Sequence, residues 1–544
     1  MPMLRTSSEA FPASKKVLSD IPYVLRVEFG QLAHETTKIV GKPIACHNCN
    51  GFLLSVDQIR EDPKVGKHFV CPFCGTLNVI EGEVVVAGDD TDFIVKPPPD
   101  PSTTTEAIAV GGKSFLGLID VSGSMAGANL AAVKRSLNTS IDSLAANAPD
   151  TMFGLIEFES SVVARNLENG NPVELPRGSF ASLQDIMNST KNLLDNIKLI
   201  GVGKNRDKLK QHVQALRDQG GTALGPAVGM AYVIAKHRNV GRVVLLTDGL
   251  ANEGIGALEG YQVTPASKYY EDLGKMFMEL GTAVDVVGIA SGAGMELQTL
   301  GLLPEATGGQ MYYVTPNELD RSLSELAGAS LLGRDVEVRL VTPPGVKVKD
   351  ASGVSRAVID QLKEKNESKI GVVGEDHELY FEVEPEKEIK ESEVPIQVQV
   401  TYTDEAGARR VRAVTTKLRV SGDEEEIMKT LDPTVGATFV TQKAGEESFR
   451  GDREKGRERI ASFRKALKTK SKRAPASVRA MLDKTDNVLN NQEAEIERQE
   501  EMLAEAPRAA PSGAADEAFT GSLAQMKSSS KKLFKKDDED DDEV

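Results

Sequence analysis

Short apolar segments alternate with amphipathic segments in the middle of the chain, from Ser114 to about Ala329. The apolar segments are nearly uninterrupted, as is typical of central strands covered by helices on both faces: Phe115–Ile119, Met152–Phe158, Arg242–Leu246 and Val284–Ile289. Helical spacing of apolar residues predicts helices over Asn129–Leu144, Leu183–Ile197, Lys208–Arg217 and Lys268–Leu280. This alternation predicts a doubly wound α/β domain over residues 113–330, with a largely parallel sheet.

Beyond this domain the apolar positions recur every second residue, first at Val336, Val338 and Leu340 and again over Ile396–Tyr402. A turn-rich segment, Thr403–Ala408, then leads into a further alternating segment. Half-buried antiparallel strands joined by a hairpin have this pattern, so we predict a β-sandwich over residues 331–422. The segment Tyr23–Phe29, within residues 1–42, also alternates and is a candidate strand of the same sandwich.

Two further regions differ in composition. Successive prolines in Lys96–Thr105 favour an extended segment, and we interpret residues 88–112 as a proline-rich linker. Residues 423–505 are charged and predict helices, whereas residues 506–544 are of low complexity, end in an acidic run and are expected to be disordered.

One predicted helix, within Arg450–Arg473, carries eleven basic and three acidic residues. Ile460, Phe463 and Leu467 share one face of it, which indicates packing inside a helix bundle with the charges solvated. Contact with an anionic membrane surface is the alternative interpretation. Aromatic residues are too sparse there for stacking on single-stranded nucleic acid, so nucleic acid is not an expected partner.

Composition excludes several classes of protein. With 40% apolar and 27% charged residues the chain can form ordinary packed cores, and no apolar run reaches the ~18 residues of a membrane span. The N-terminal residues include no apolar segment of the kind found in signal peptides. The net charge is −16, of which Asp537–Glu543 contributes seven negative charges, so a general polyanion binder is not indicated.

The four cysteines of the chain form two pairs, Cys46/Cys49 and Cys71/Cys74. In a secreted chain four cysteines suggest two disulfides, but without an export signal this spacing fits thiolates on a metal in a reducing compartment. Four thiolates favour tetrahedral Zn²⁺, and a closed set of four sulfurs indicates a structural role. We therefore predict a zinc ribbon over residues 43–87, with a glycine after each knuckle allowing the tight turn and His47 outside the ligand set.

Oxygen-bearing side chains follow the first strand of the α/β domain as Asp120, Ser122 and Ser124, two residues apart. Thr222 lies between two helical segments, and Asp248 follows another buried strand. Because ligands bind at the carboxyl ends of parallel strands, these groups can form a hard-oxygen site suited to Mg²⁺ or another divalent cation. The alternative is that Asp120 and its serines only cap the following helix.

These five residues resemble the metal-ion-dependent adhesion site of a von Willebrand factor A (VWA) domain, which is Rossmann-like. The resemblance covers about Lys113–Ala329 and implies that the hydroxyls of Ser122, Ser124 and Thr222 contact the metal, with Asp120 and Asp248 acting through water. Such a metal can accept a carboxylate from a partner protein.

The order of zinc ribbon, VWA domain, β-sandwich and helical region resembles the inner-coat subunits of the COPII vesicle coat. The resemblance covers residues 20–505 and includes the Cys-Pro-Phe-Cys knuckle. It implies an α/β multidomain fold and a non-enzymatic scaffold in endoplasmic reticulum to Golgi transport, cytoplasmic or peripheral on the endoplasmic reticulum. A paralogous coat subunit or a small GTPase is the implied partner. The gelsolin-like domain of that family is not expected here, so we assign no GTPase-activating arginine and expect a divergent relative.

The same residues bear on three alternative functions: an enzyme, a nuclear scaffold and a metal-dependent binder of protein ligands. No phosphate-binding loop, metal-spaced histidine pair or nucleophile elbow is found, so an enzyme is not predicted. A nuclear transcription or repair scaffold also combines VWA and zinc modules, although there the zinc module follows the VWA domain. A metal-dependent binder of protein ligands is the third possibility.

Overall fold

We describe a computed structural model of the chain, covering residues 2–82, 84–98, 114–249, 251–258, 263–290, 297–328, 331–449, 452–471 and 474–505. Contacts divide the chain into two compact units. One combines the N-terminal residues with those from 332 to 498, and the other is formed by the residues between them.

Eight short strands are described before residue 99. In chain order they are β1 (Leu4–Thr6), β2 (Ala10–Pro12), β3 (Val24–Glu28), β4 (Thr37–Val40), β5 (Ile59–Asp62), β6 (Gly66–Val70), β7 (Leu77–Val79) and β8 (Asp90–Lys96). Strands β5, β6 and β7 form a small antiparallel sheet. The other five strands belong to the sandwich.

The second unit alternates strands and helices. Its strands are β9 (Ser114–Asp120), β10 (Met152–Phe158), β11 (Val162–Arg165), β12 (Pro172–Glu174), β13 (Ile200–Gly201), β14 (Arg242–Thr247), β15 (Ala283–Ile289) and β16 (Met311–Val314). Its helices are α1 (Ala128–Asn147), α2 (Leu183–Leu193), α3 (Val202–Ala215), α4 (Leu224–Arg238), α5 (Val263–Leu280), α6 (Leu297–Leu300), α7 (Leu302–Thr307) and α8 (Leu319–Gly328).

The sheet of this unit has the order β12-β11-β10-β9-β14-β15-β16, with β13 beside β10. The five strands from β10 to β16 along this path are parallel, and β11, β12 and β13 are antiparallel additions. Two apolar cores cover the sheet, one with α4 and α5 and the other with α1, α3 and α8. The doubly wound α/β fold is confirmed, and β9 lies at the centre of the sheet.

The β-sandwich is built mainly after the α/β unit. Its later strands are β17 (Leu331–Val341), β18 (Val346–Ser352), β19 (Glu367–Gly374), β20 (Glu378–Pro385), β21 (Glu393–Thr403) and β22 (Arg409–Ser421), with helix α9 (Arg356–Lys365) between β18 and β19. One sheet has the order β1-β3-β20-β18, and the other has the order β19-β17-β21-β22-β8-β4 with β2 on β22. A single apolar core lies between them, and β3, expected from Tyr23–Phe29, pairs with β20.

Strand β8 lies within residues 88–112, for which the sequence predicts a linker, so that prediction is wrong for Asp90–Lys96. The strand pairs with β22, and its acidic residues Asp90 and Asp92 bind Arg412 and Arg410. The linker was predicted from the nearby prolines, whereas the residues that pair with Asp90 and Asp92 lie more than 300 positions further along the chain. Residues 99–112 lie outside the described residues.

Among the described residues after the sandwich there are four helices: α10 (Glu424–Lys429), α11 (Pro433–Phe449), α12 (Arg453–Ser471) and α13 (Ala476–Glu505). In α12 the predicted apolar face is buried. Five of its basic side chains form ion pairs: Lys455 and Arg459 with Glu447, Arg464 and Lys468 with Asp486, and Lys470 with Glu424. Much of the basic charge of this helix is therefore neutralised within the protein.

The predicted disordered tail, residues 506–544, lies outside the described residues. Within the described part of the chain, no helix has both the length and the apolarity needed to cross a bilayer.

The ion pair that binds β8 to β22 gives a stability prediction. Asp92 is 1% exposed, pairs with Arg410 and accepts a hydrogen bond from Tyr402 Oη at 3.2 Å. Asp92→Ala removes one of two carboxylates that pair with Arg410 and leaves Asp404 at 3.3 Å, so we expect a cost below the roughly 3–5 kcal/mol of a buried pair broken outright but above that of an exposed pair. We expect a lower thermal midpoint for the sandwich unit, measured by differential scanning calorimetry.

The matched control is Asp360→Ala, which removes the exposed partner of Arg356. Its expected cost is about 0–1 kcal/mol. Equal midpoints for the two variants would contradict a stabilising role for the buried pair.

Candidate metal centres

The four cysteines converge on one point. Their sulfurs all lie within 4.8 Å of one another, with Cys46 Sγ 3.6 Å from Cys74 Sγ and Cys49 Sγ 3.5 Å from Cys71 Sγ. These distances exceed the ~2.05 Å of a disulfide, so the cysteines are free thiols gathered into one cluster. Four sulfurs arranged in this way match the donor set of a structural Zn²⁺ site.

Each knuckle turns at the residue that follows its second cysteine. Asn50 (φ +59°) and Gly75 (φ +72°) both adopt the left-handed conformation, which Asn and Gly tolerate best. The glycine expected to make the first turn is Gly51, and this expectation is wrong because Asn50 makes the turn. Gly51 is required for a different reason, because a Cβ there would lie 2.4 Å from Phe73 Cδ2.

The cluster is held against the sandwich by two buried glutamines of β21. Gln397 Oε1 accepts from the Phe52 amide at 2.9 Å, and Gln399 Nε2 donates to the Asn50 carbonyl at 2.8 Å. Gln397 Nε2 in turn donates to Thr415 Oγ1 at 2.9 Å. The polar face of β21, which alternation alone would leave in solvent, is therefore the docking surface for the first knuckle.

The thiols differ in how readily they ionise. Burial raises the pKa of Cys49 well above its usual range and that of Cys71 to about 11. Burial also acts on Cys74, but hydrogen bonds from Thr76 outweigh it and lower the pKa to about 6. A cluster of four close sulfurs cannot carry four negative charges without a cation, so the residues fit a bound Zn²⁺.

Loss of one thiolate is expected to remove the metal. For Cys71→Ser we expect zinc content to fall well below that of wild type by elemental analysis. Hydrogen exchange should increase in residues 43–82, because structural zinc contributes folding free energy to such modules, while the α/β unit keeps its protection.

Val70→Ser is the control, since Val70 is 54% exposed on the same ribbon and its loss should leave zinc bound. Less than one zinc per chain in carefully reduced wild-type protein would contradict the assignment.

The oxygen-rich site lies at the carboxyl ends of β9 and β14, which are adjacent and parallel. Asp120 is the last residue of β9, Ser122 and Ser124 occupy the loop before α1, and Asp248 directly follows β14. The two carboxylates are fully buried, whereas Ser124 is exposed. The sheet topology thus brings together residues that lie more than 120 positions apart.

Hydrogen bonds link these groups directly. Ser124 Oγ donates to Asp248 Oδ1 at 2.7 Å and lies 3.0 Å from Ser122 Oγ. Asp120 Oδ1 accepts from the Ser122 amide at 2.8 Å, and its Oδ2 accepts from Thr247 Oγ1 at 2.5 Å. Both carboxylates therefore receive neutral donors and orient the serine loop.

Thr222 is delivered by the loop between α3 and α4. The Gly123 amide donates to the Gly220 carbonyl at 3.2 Å, which joins this loop to the serine loop. On the other side, the Thr222 amide donates to Asn252 Oδ1 at 2.9 Å, and the amides of Asn252 and Glu253 donate to the Thr222 carbonyl. Thr222 is buried and braced from both sides.

The electrostatics of the site favour a cation. Burial raises the pKa of Asp120 to about 6, against hydrogen bonds that lower it, and repulsion by Asp248 raises it further. Burial also raises the pKa of Asp248. Two desolvated, mutually repelling carboxylates beside the hydroxyls of Ser122 and Ser124 form a donor set that fits Mg²⁺, which prefers oxygen ligands.

The helix-capping alternative does not fit the hydrogen bonds. The N-cap of α1 is Gly127, and Ser122 makes no side-chain cap to the short 3₁₀ turn after it. Ser124 points instead to Asp248.

Three residues at the site were not identified from the sequence. Thr247 and Asn252 hold Asp120 and Thr222, and Asn129 Nδ2 donates to Asp248 Oδ2 at 2.7 Å. Thr247 could have been found from its place beside Asp248. Asn129 and Asn252 carry no sequence signal of their own.

Comparisons with known proteins agree with the order of the α/β domain and the β-sandwich. The Sec23/Sec24 trunk domain matches residues 113–327, and the Sec23/Sec24 beta-sandwich domain matches residues 333–421. The human COPII-coat protein Sec24c has a similar structure, with a TM-score of 0.69 and 16% identity over 96% of this chain and 75% of that chain.

Two curated relatives come from Dictyostelium discoideum. "Circularly permutated Ras protein 1" is 25% identical over 77% of this chain and 53% of its own length. "Protein transport protein SEC24" is 21% identical over 85% of this chain and 49% of its own length. The chain thus spans about half the length of these relatives.

Proposed function

The chain belongs to the Sec23/Sec24 family of COPII inner-coat proteins, and from that premise we propose that it is a non-enzymatic scaffold of a vesicle coat. Its work would be protein transport from the endoplasmic reticulum to the Golgi, on the cytoplasmic face of the membrane. The observation that carries this proposal is the adjacent match of trunk and sandwich domains in one chain.

The partners follow from the same premise. We propose a paralogous coat subunit or a small GTPase, and the latter is supported by a relative whose name describes it as a Ras protein. The ion pairs of α12 favour a solvated helix-bundle surface over contact with an anionic membrane. A GTPase-activating arginine is not assigned.

Two metals complete the proposal. Cys46, Cys49, Cys71 and Cys74 would hold a structural Zn²⁺, which fixes the ribbon on β21. Ser122, Ser124 and Thr222 would hold Mg²⁺ or another divalent cation, with Asp120 and Asp248 behind them. When bound, that cation supplies an electrophile for a carboxylate of a partner protein, so a metal-dependent contact would be one route of scaffolding.

Metal binding at the oxygen-rich site is testable by thermal stability. A ligand that binds only the native state stabilises it by about 2.7 kcal/mol at a concentration of 100 Kd. We expect saturating Mg²⁺ to raise the unfolding midpoint of the α/β unit, as followed by calorimetry, and Asp120→Ala to abolish the increase.

Asp207→Ala, which removes an exposed carboxylate of α3, is the matched control and should keep the increase. An equal midpoint with and without Mg²⁺ in the wild-type chain would argue against a cation at this site.

The cellular role separates the coat proposal from the nuclear alternative. A fluorescently tagged chain in eukaryotic cells is expected to form puncta that coincide with endoplasmic reticulum exit sites, because coat subunits concentrate where vesicles form. Affinity purification should then recover a coat subunit or a small GTPase. A diffuse nuclear signal would contradict the coat proposal and favour a nuclear scaffold.

A further inference from the structure

Asn129 occupies the second position of α1, beside the oxygen-rich site. Its side chain is half-buried, and Nδ2 donates to Asp248 Oδ2 at 2.7 Å. Asp248 is fully buried, and its other oxygen accepts from Ser124 Oγ at 2.7 Å. A buried carboxylate requires such donors on its oxygens, so the amide of Asn129 fixes the orientation of the carboxylate.

That orientation determines where the proton of Ser124 points. A hydroxyl that gives its lone pair to a cation must direct its proton elsewhere, and Asp248 Oδ1 is the acceptor to which the Ser124 proton points. Rotation of the Asp248 carboxylate would remove this acceptor. Asn129 therefore acts on Ser124 through Asp248, as outer hydrogen-bond partners commonly act on metal ligands.

Asn129 also carries no charge, and this affects the charge around the proposed cation. Its amide supplies a donor without charge, so the carboxylates at the centre of the site remain Asp120 and Asp248. An anion at position 129 would repel Asp248 and add negative charge beside the proposed cation. A cation surrounded by fewer anions retains more attraction for an external carboxylate.

We propose that Asn129 is a positioning residue of the metal site, which orients Asp248 as acceptor of the Ser124 proton and leaves the cation able to attract a partner carboxylate. This inference rests on the proposed cation site. Asn129 would act through its hydrogen bond to Asp248.

The test uses Mn²⁺ as the probe, titrated into the full chain and followed by electron paramagnetic resonance. Binding that persists in Asp120→Ala, as expected at the acidic run Asp537–Glu543, is subtracted. For Asn129→Ala we expect the dissociation constant to rise about 10- to 100-fold, the usual effect of removing an outer partner of a metal site. For Asn129→Asp, which loses the same donor but adds an anion near the divalent cation, we expect binding about tenfold tighter than that of Asn129→Ala, from the attraction of one anion in a water-like dielectric.

Asn147→Ala is the matched control, because Asn147 lies at the other end of α1 and donates only locally, to Ser143. Its affinity should equal that of wild type. Melting of the metal-free variants checks that each one folds, and Asn129→Leu, which is nearly isosteric, neutral and without the donor, replaces Asn129→Ala if that variant does not fold.

The outcomes separate the two proposals. A wild-type chain without saturable Mn²⁺ binding beyond that of Asp120→Ala would overturn the cation site itself. Wild-type binding that is unchanged in Asn129→Ala and Asn129→Asp would leave the cation site standing and overturn the role of Asn129. A second experiment uses acetate as the probe for a partner carboxylate. Acetate should broaden the Mn²⁺ signal in wild type and broaden it less in Asn129→Asp. Equal broadening in the two chains would overturn the proposal that the neutral side chain of Asn129 keeps the cation attractive to a carboxylate.

Discussion

The structure depends on the pairing of strands that lie on either side of the α/β domain in the sequence. Strands β3 and β8 contribute to opposite sheets of the sandwich, and their partners β20 and β22 lie hundreds of residues later. Closing such loops carries an entropy cost that only burial in a shared core can offset. The ion pairs of Arg410 and Arg412 with β8 specify which strand occupies this position.

This long-range pairing also explains the buried polar residues of the sandwich. Gln397 and Gln399 stand on the face of β21 opposite its apolar core, and the zinc ribbon covers them. Their amides match the backbone groups of the first knuckle, so no buried polar atom of this contact is left without a partner among the described groups. A cluster of thiols and a sandwich strand are thereby joined into one unit, and zinc bound to the cluster would also stabilise its docking surface.

The oxygen-rich site follows the same physical rule in the other unit. Its carboxylates are buried at the ends of β9 and β14, and neutral donors from Thr247, Ser124 and Asn129 hold them in place. Because these donors are neutral, they add no positive charge beside the two carboxylates, which fits the cation proposed for this site. In a coat scaffold a contact through that cation would add a metal-dependent term to assembly.

The local pattern of apolar residues predicts the strands that are covered on both faces. Strand Met152–Phe158 has the predicted bounds, because an apolar run covered on both faces needs no distant information. The four cysteines could also be identified from their spacing, and the five oxygen-bearing residues from their places along the predicted elements together with the resemblance to the VWA adhesion site. Helix α4 could not be bounded, since it is buried on all sides from Leu224 to Ala235 and so shows no polar face.

Only the tertiary structure decided the features that depend on distant partners. The acidic residues of β8 can lie in a sheet because Arg410 and Arg412 neutralise them. The polar residues of β21 have the pattern of a solvent-exposed face, but the ribbon covers them. The sequence around Asn129 does not indicate its role, because its partner Asp248 follows the distant strand β14. In each case the sequence contains both partners, but the free energy that pairs them arises only when the sheet brings them together and removes water.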